Sequence, residues 1–191
     1  NTLGTQSTLS DGAGDFAIRN AYVAVRAPVG NGLDFQLGVW DTVIGYEVAD
    51  SPYNPNYSRS FAFNIEPVIH TGLKTSYQVN DVISLQGGIA ETGGNTINQR
   101  SGVRGVKTYM GSVALTAPES TGWLEGATLY GGIVDSGIPG AADILNFYGG
   151  ATMPLPCTGL ALGAAYDYRA NGLFDGSYEN TIGGYVSWQA S

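Results

Sequence analysis

Apolar and polar residues alternate one by one through stretches of about ten residues, and this pattern constrains the fold more than any other feature of the sequence. In LDFQLGVW (33–40) every odd-numbered residue is apolar, and the residues between them are Asp34, Gln36, Gly38 and Trp40. Similar alternation recurs at 68–78, 83–89, 145–153, 160–168 and 182–189, and less cleanly at 16–26. A period of two residues is typical of a β-strand whose two faces meet different surroundings. The sequence therefore predicts an all-β protein.

The connections between these strands alternate in length. Tight turns are predicted at 29–32, 80–81, 119–122 and 154–159, and longer links at 47–67, 93–104, 135–142 and 169–178. Outer-membrane barrels have tight turns at one end and long loops at the other, and strands of about ten residues suit a tilted crossing of a bilayer. We therefore expect a single domain over 1–191, an antiparallel up-and-down transmembrane β-barrel with about nine strands. Because bacterial single-chain barrels have even strand counts, nine strands predict part of a larger barrel.

The composition favours a sheet that lies between lipid and water. Charged residues make up 13% of the chain, which is about half their usual share in soluble domains. No apolar run approaches the roughly 20 residues of a transmembrane helix, so any crossing of a membrane would use strands. The formal net charge is −8, and the absence of a basic patch argues against a nucleic-acid partner.

A glycine pair recurs in the middle of four predicted strands. The pairs stand in LQGGIAE (85–91), LYGGIVD (129–135), FYGGATM (147–153) and TIGGYVS (181–187). Glycine weakens an isolated strand, but it eases the strong coiling and close backbone approach that a closed barrel needs. The repeat therefore favours a barrel over a flat soluble sheet.

The link at 47–67 is rich in proline, asparagine, serine and tyrosine, and it also carries charged side chains. A long loop in a compact β-protein is usually either functional or disordered. We predict that 47–67 forms the constriction of the barrel. An ordinary surface loop, stiffened by its prolines, is the alternative.

Charged side chains on the polar face of the strands are the candidate pore-lining residues. An arginine or lysine that faces lipid near the midplane costs about 2–4 kcal/mol, so the bilayer directs such groups to the lumen. The candidates on the inferred lumen faces are Arg26, Asp34, Glu66, His70, Lys74 and Asp167, and those in or near loops are Glu47, Asp50, Arg59 and Arg104. His70 is expected beside Lys74 and Glu66. A lumen with surplus carboxylates would favour cations.

No catalytic, metal or cofactor site is predicted. His70 is the only histidine, no G-x-S-x-G elbow accompanies it, and one histidine with the distant Cys157 cannot supply a tetrahedral zinc set. The chain has no P-loop, no dinucleotide-binding glycine motif and no EF-hand spacing. A lone cysteine forms no intramolecular disulfide. We therefore expect a protein that is not an enzyme and that needs no cofactor.

Short motifs cluster in the first half of the chain. They are RNAYV (19–23), APVGNG (27–32), DTVIGYE (41–47), NPNYSRS (54–60) and EP (66–67) with HTG (70–72). Together, over about residues 15–90, they resemble the putative β-barrel porin-2 (OmpL-like) family of Gram-negative outer membranes. The resemblance implies a channel in the cell outer membrane, in contact with membrane lipid.

Such a channel would pass small hydrophilic solutes or ions. The sequence does not decide whether it assembles into a homo-oligomer. The chain ends in QAS (189–191), where barrel proteins usually end in an aromatic residue, so we do not expect this chain to close a barrel by itself. The alternative from another class is a soluble, secreted β-sandwich that binds carbohydrate through its tyrosines and tryptophans.

Overall fold

Nine strands form one antiparallel sheet in the computed structural model, which describes residues 20–91, 105–155 and 159–189. They are β1 (Ala21–Ala27), β2 (Leu33–Asp41), β3 (Ile69–Gln78), β4 (Ile83–Ala90), β5 (Thr108–Thr116), β6 (Thr128–Ser136), β7 (Ile144–Pro154), β8 (Leu160–Ala170) and β9 (Tyr178–Trp188). Each strand pairs with the next one along the chain, which makes an up-and-down meander. The predicted all-β, antiparallel fold with about nine strands is confirmed. The alternative of a β-sandwich is wrong, because the described strands belong to one sheet.

The edges of this sheet are its first and last strands. Among the described strands, β1 pairs with β2 alone and β9 with β8 alone, so the sheet is not closed. The described connections contain a short helix, α1 (Phe61–Ile65), and 3-10 segments at Ser51–Tyr53 and Glu119–Leu124. No helix among the described residues is long and apolar enough to cross a membrane.

The strand register sorts side chains onto two faces. One face, which we call the inner face, carries buried side chains: Trp40, His70, Met110, Val134, Tyr148, Asp167 and Tyr185. The opposite face, which we call the outer face, carries Leu37, Leu85, Leu129, Phe147 and Ile182. The buried hydrophobic cluster of the protein lies on the inner face.

The outer face is largely apolar and exposed, and its buried apolar residues are Val39 and Ile69, next to the inner loop. Leu37 in β2 is 64% exposed and Ile182 in β9 is 83% exposed. Soluble monomers rarely expose a large contiguous apolar surface, and such surfaces mark contacts with membranes or other proteins. The alternation in the sequence thus places its apolar residues outward, away from the packed side of the sheet.

The four glycine pairs show the same asymmetry between the faces. The inner member of each pair lies against a bulky side chain: Gly88 against Trp40, Gly132 against Ile44, Gly150 against Tyr148 and Gly183 against Tyr185. A Cβ at Gly132 would come within 2.5 Å of Ile44 Cγ2, whereas Gly149 and Gly184, on the outer face, have nothing within 4 Å of an added Cβ. The inner glycines therefore also make room for large side chains.

Candidate functional site

The segment between β2 and β3, residues 42–68, folds back over the inner face, and we call it the inner loop. It reaches strands far along the meander, since Ile44 packs on Gly132 of β6 and α1 contacts β8 and β9. Asn146 of β7 donates a hydrogen bond from Nδ2 to the carbonyl oxygen of Ile65 at 2.9 Å. The predicted constriction loop, 47–67, is most of this segment and contains a 3-10 turn and α1 in addition to irregular backbone.

Tyr46 anchors the first half of the inner loop. Its ring stacks on that of Tyr185 in β9, with ring centroids 4.0 Å apart and planes 7° from parallel. The hydroxyl end of Tyr46 lies over Gly163 in β8, where a Cβ would overlap it. An aromatic pair of this kind contributes about 0.5–1.5 kcal/mol beyond its burial. The absence of a side chain at Gly163 is thus a condition for this docking.

Three carboxyl groups are buried beneath the inner loop. Glu47 and Glu66 come from the loop and Asp167 from β8, and their residues are 6%, 8% and 2% exposed. Glu47 accepts hydrogen bonds from the backbone N–H of Ser60 at 3.0 Å, from the Ser60 hydroxyl and from the Tyr185 hydroxyl at 3.5 Å. Its contact with Ser60 therefore ties together two points of the inner loop that are thirteen residues apart.

Glu66 lies beside Asp167, carboxyl to carboxyl. Gly45, with a φ of 110°, leaves the space that the Glu66 carboxyl group occupies. Burial is the largest cause that raises the pKa of Glu66 above its usual value, followed by the contact with Asp167 and by repulsion from Glu47. Two adjacent carboxyl groups in a poorly solvated site cannot both ionise without a large cost.

Residues 48–59 form a lobe of the inner loop that is organised by Asn54. The Asn54 side chain accepts a hydrogen bond from the backbone N–H of Val48 at 2.8 Å and donates to the carbonyl oxygens of Val48 and Asp50, both at 2.7 Å. Tyr53 and Tyr57 are among the most exposed aromatic residues described. The lobe is therefore a small unit with its own hydrogen bonds and a surface of tyrosines.

Arg59 fastens the end of this lobe. Its guanidinium donates to the carbonyl oxygen of Ala49 at 3.0 Å and lies over the Phe63 ring, 5.5 Å from the ring centroid. Asp50 is exposed in the lobe. Of the three predicted carboxylates of the inner loop, Asp50 is thus at the surface while Glu47 and Glu66 are buried.

His70 and Lys74 lie on the inner face of β3, beside Trp40. His70 Nε2 is 3.1 Å from Thr42 Oγ1, and Lys74 Nζ is 5.3 Å from the centroid of the Trp40 ring, within cation–π range. Glu66, expected next to these two residues, lies instead beside Asp167 across the sheet.

Two of the remaining candidate pore-lining residues lie in β1 and β2. Arg26 and Asp34 form a two-pronged ion pair across β1 and β2, with N–O distances of 2.7 and 2.6 Å, and both are exposed to solvent. Arg104 lies outside the described residues, as does Cys157. Within the described part of the chain, no group of three or more histidine, cysteine, aspartate or glutamate residues is placed to hold a metal ion.

Sequence reasoning missed the side chains that hold the inner loop on the sheet. These are Ile44, Tyr46, Asn146 and Tyr185. A signal for them exists in the glycine pairs and in Gly163, because a glycine on the packed face of a strand often marks a close approach by another part of the chain. That signal does not say which residue approaches.

The docking of Tyr46 can be tested by replacing Gly163 with alanine. We expect the added Cβ to displace the Tyr46 ring and break its stack on Tyr185, so that trypsin cuts after Arg59 faster by about two- to tenfold, the factor that corresponds to a lost aromatic pair. Gly149→Ala is the matched control, because an added Cβ there meets nothing within 4 Å. Equal cleavage rates in the two variants would contradict this packing.

Comparison with known proteins agrees with the all-β fold. The family model described as putative beta-barrel porin-2, OmpL-like, matches residues 1–189, well beyond the part, about 15–90, that carries the recognisable motifs. No curated protein and no solved structure matches the chain. Because the family model covers almost the whole sequence, the chain belongs to the putative β-barrel porin-2, OmpL-like family.

Proposed function

We propose that the protein is an outer-membrane channel through which small hydrophilic solutes or ions diffuse passively, and that the inner loop narrows the passage. One observation carries this proposal. The longest described link of the chain lies on the packed inner face of the sheet, while the outer face is apolar and exposed. A barrel lumen with a loop folded into it has this arrangement.

The outer face suits membrane lipid. Outer-membrane barrels carry an apolar band on the outside and a polar interior, and their residues alternate accordingly. Strands β7, β8 and β9 have 11 residues each, within the length that a tilted strand needs to cross a bilayer. These features, together with the family, support a location in the outer membrane.

Passage through such a channel needs no covalent chemistry. Selectivity comes from the width of the pore and from the charges that line it. The exposed lobe, with Asp50, Tyr53 and Tyr57 at its surface, is the part of the inner loop that solutes would meet. Glu47 and Glu66 would act indirectly, because they are buried under the loop and hold it in place. The net charge of −8 would favour cations.

The constriction can be tested by shortening the lobe. In the variant, a Gly-Ser-Gly linker replaces residues 48–59, so that Glu47 and Ser60, which already contact each other, remain. We expect the intact protein to form channels in planar bilayers and the shortened variant to form channels of larger single-channel conductance.

A matched control replaces Asn56 with serine within an otherwise intact lobe. Asn56 is exposed in the lobe, and its replacement keeps the loop at full length, so conductance should stay at the level of the unmodified protein. Absence of any conductance in the unmodified protein would overturn the proposed channel. Equal conductance in the shortened and unmodified proteins would show that the lobe does not form part of the constriction.

A further inference from the structure

Two carboxyl groups lie in contact where the inner loop meets the sheet. Glu66 follows α1 directly and Asp167 is near the middle of β8, so the pair joins the loop to the wall of the sheet. Both residues are more than nine-tenths buried. Glu66 Oε1 and both carboxyl oxygens of Asp167 are buried and accept no hydrogen bond from an N–H or O–H donor of the described residues.

No positive charge of the described chain neutralises the pair. The titratable groups that act on it are Glu47 from the inner loop, Tyr148 from β7 and Tyr185 from β9, all acidic or phenolic. The nearest basic residue along β8 is Arg169, whose Nε donates to Glu179 Oε2 at 2.6 Å. Two ionised carboxylates here would therefore repel each other in a buried site, and the described groups that act on them include no basic side chain.

We propose that Glu66 and Asp167 bind one proton between them at neutral pH, and that this shared proton fastens the inner loop to the sheet. A proton turns the contact into a hydrogen bond between a carboxylic acid and a carboxylate, which is short and strong. Loss of the proton leaves two carboxylates in contact and drives the loop away. The site follows from the packing of the loop and does not depend on the channel function.

A metal ion is a poorer occupant than a proton. Calcium takes six to eight oxygen ligands and magnesium about six, whereas the pair offers three oxygens that have no other partner. No set of three or more potential metal-binding side chains is placed for an ion within the described ranges. The space that Gly45 leaves is filled by the Glu66 carboxyl group itself.

The direction of the pH dependence follows from the raised pKa of Glu66. Between the ordinary Glu66 pKa of 4.5 and its raised pKa of about 10, the docked loop binds more protons than the released loop. Docking is therefore strongest below pH 4.5 and weakens as pH rises through this range. One proton difference changes the ratio of docked to released loop by up to about tenfold for each pH unit. The inner loop should therefore be closed at neutral pH and released under alkaline conditions.

The first test measures the proton itself. The infrared absorption of a protonated carboxylic acid should be present at neutral pH in the unmodified protein and absent in the double variant Glu66→Gln, Asp167→Asn. In this variant the two carboxamides keep the size of the carboxyl groups and can still bond to each other, so the inner loop is expected to stay docked. Absence of the band from the unmodified protein at neutral pH would overturn the proposal.

The second test measures release of the loop. The rate of trypsin cleavage after Arg59, divided at each pH by the rate on a small arginine substrate, should rise by up to about tenfold per unit somewhere between about pH 6 and about pH 10. The double variant should show a flat profile. The control Asp81→Asn, an exposed carboxylate in the turn between β3 and β4, should keep the rise.

A rise of equal size in the double variant would overturn the proposal, because the pH dependence would then come from another group. The cleavage assay, repeated at alkaline pH over a series of potassium chloride and sodium chloride concentrations, distinguishes a bound proton from a bound small cation. Protection of the loop by one of these salts and not by the other, at equal ionic strength, would show that a cation occupies the pair and would also overturn the proposal.

Discussion

Replacement of Leu85 by arginine is expected to prevent stable insertion into a bilayer, while the same replacement at the adjacent Gln86 is expected to be tolerated. The two residues are neighbours in β4, but Leu85 lies on the outer face opposite Val113 and Gln86 on the inner face opposite Ser112. An arginine that faces lipid costs about 2–4 kcal/mol at the midplane of an outer-membrane barrel and less toward its ends, whereas a charge that faces the lumen is not exposed to lipid.

The measurement is the fraction of protein that stays with lipid vesicles after a wash in concentrated urea. Each variant serves as the control of the other, because both add the same charge and volume to the same strand. Equal retention of Leu85→Arg and Gln86→Arg would mean that the outer face does not meet hydrocarbon. If Leu85→Arg were retained and Gln86→Arg were lost, the assignment of the lipid-facing and lumen-facing sides of the sheet would be reversed.

The strands themselves could be predicted closely from the sequence. The strands predicted from the alternation at 33–40 and 83–89 correspond to β2 (Leu33–Asp41) and β4 (Ile83–Ala90). A period of two residues is a local property, and it is sharp in these two strands because their inner and outer faces have different surroundings. The direction in which the apolar residues point also followed, since most leucines and isoleucines of the alternating strands lie on the outer face as expected.

The arrangement of the site could be predicted only in part. That most charged residues of the strands lie on the inner face followed from the alternation. The contact between Glu66 and Asp167 joins residues about a hundred positions apart, and no local pattern encodes it. Glu47 and Glu66 were expected to line the pore, and the structure buries both beneath the inner loop. Loop residues have no fixed period, so the sequence gives no indication of which side chains turn toward the sheet.

The inner face also contains the part of the sheet where a single replacement is expected to lower stability most. Trp40 is 0% exposed, and its Nε1 donates to the carbonyl oxygen of Gly72 at 3.1 Å. Its ring lies against His70, with ring centroids 5.3 Å apart, and against Gly88, where an added Cβ would come within 3.1 Å of it. The indole therefore fills space between β2, β3 and β4.

Trp40→Ala is expected to lower the free energy of unfolding by about 3–5 kcal/mol, the usual cost of removing a buried tryptophan. Urea unfolding in detergent micelles, followed by far-ultraviolet circular dichroism, measures this change. Trp123→Ala is the matched control, because Trp123 is exposed in the connection between β5 and β6, and surface replacements usually stay within about 0.5 kcal/mol. If the two variants lost equal stability, the inner face around Trp40 would not be a packed core, and the inner loop would have no rigid wall to fold against.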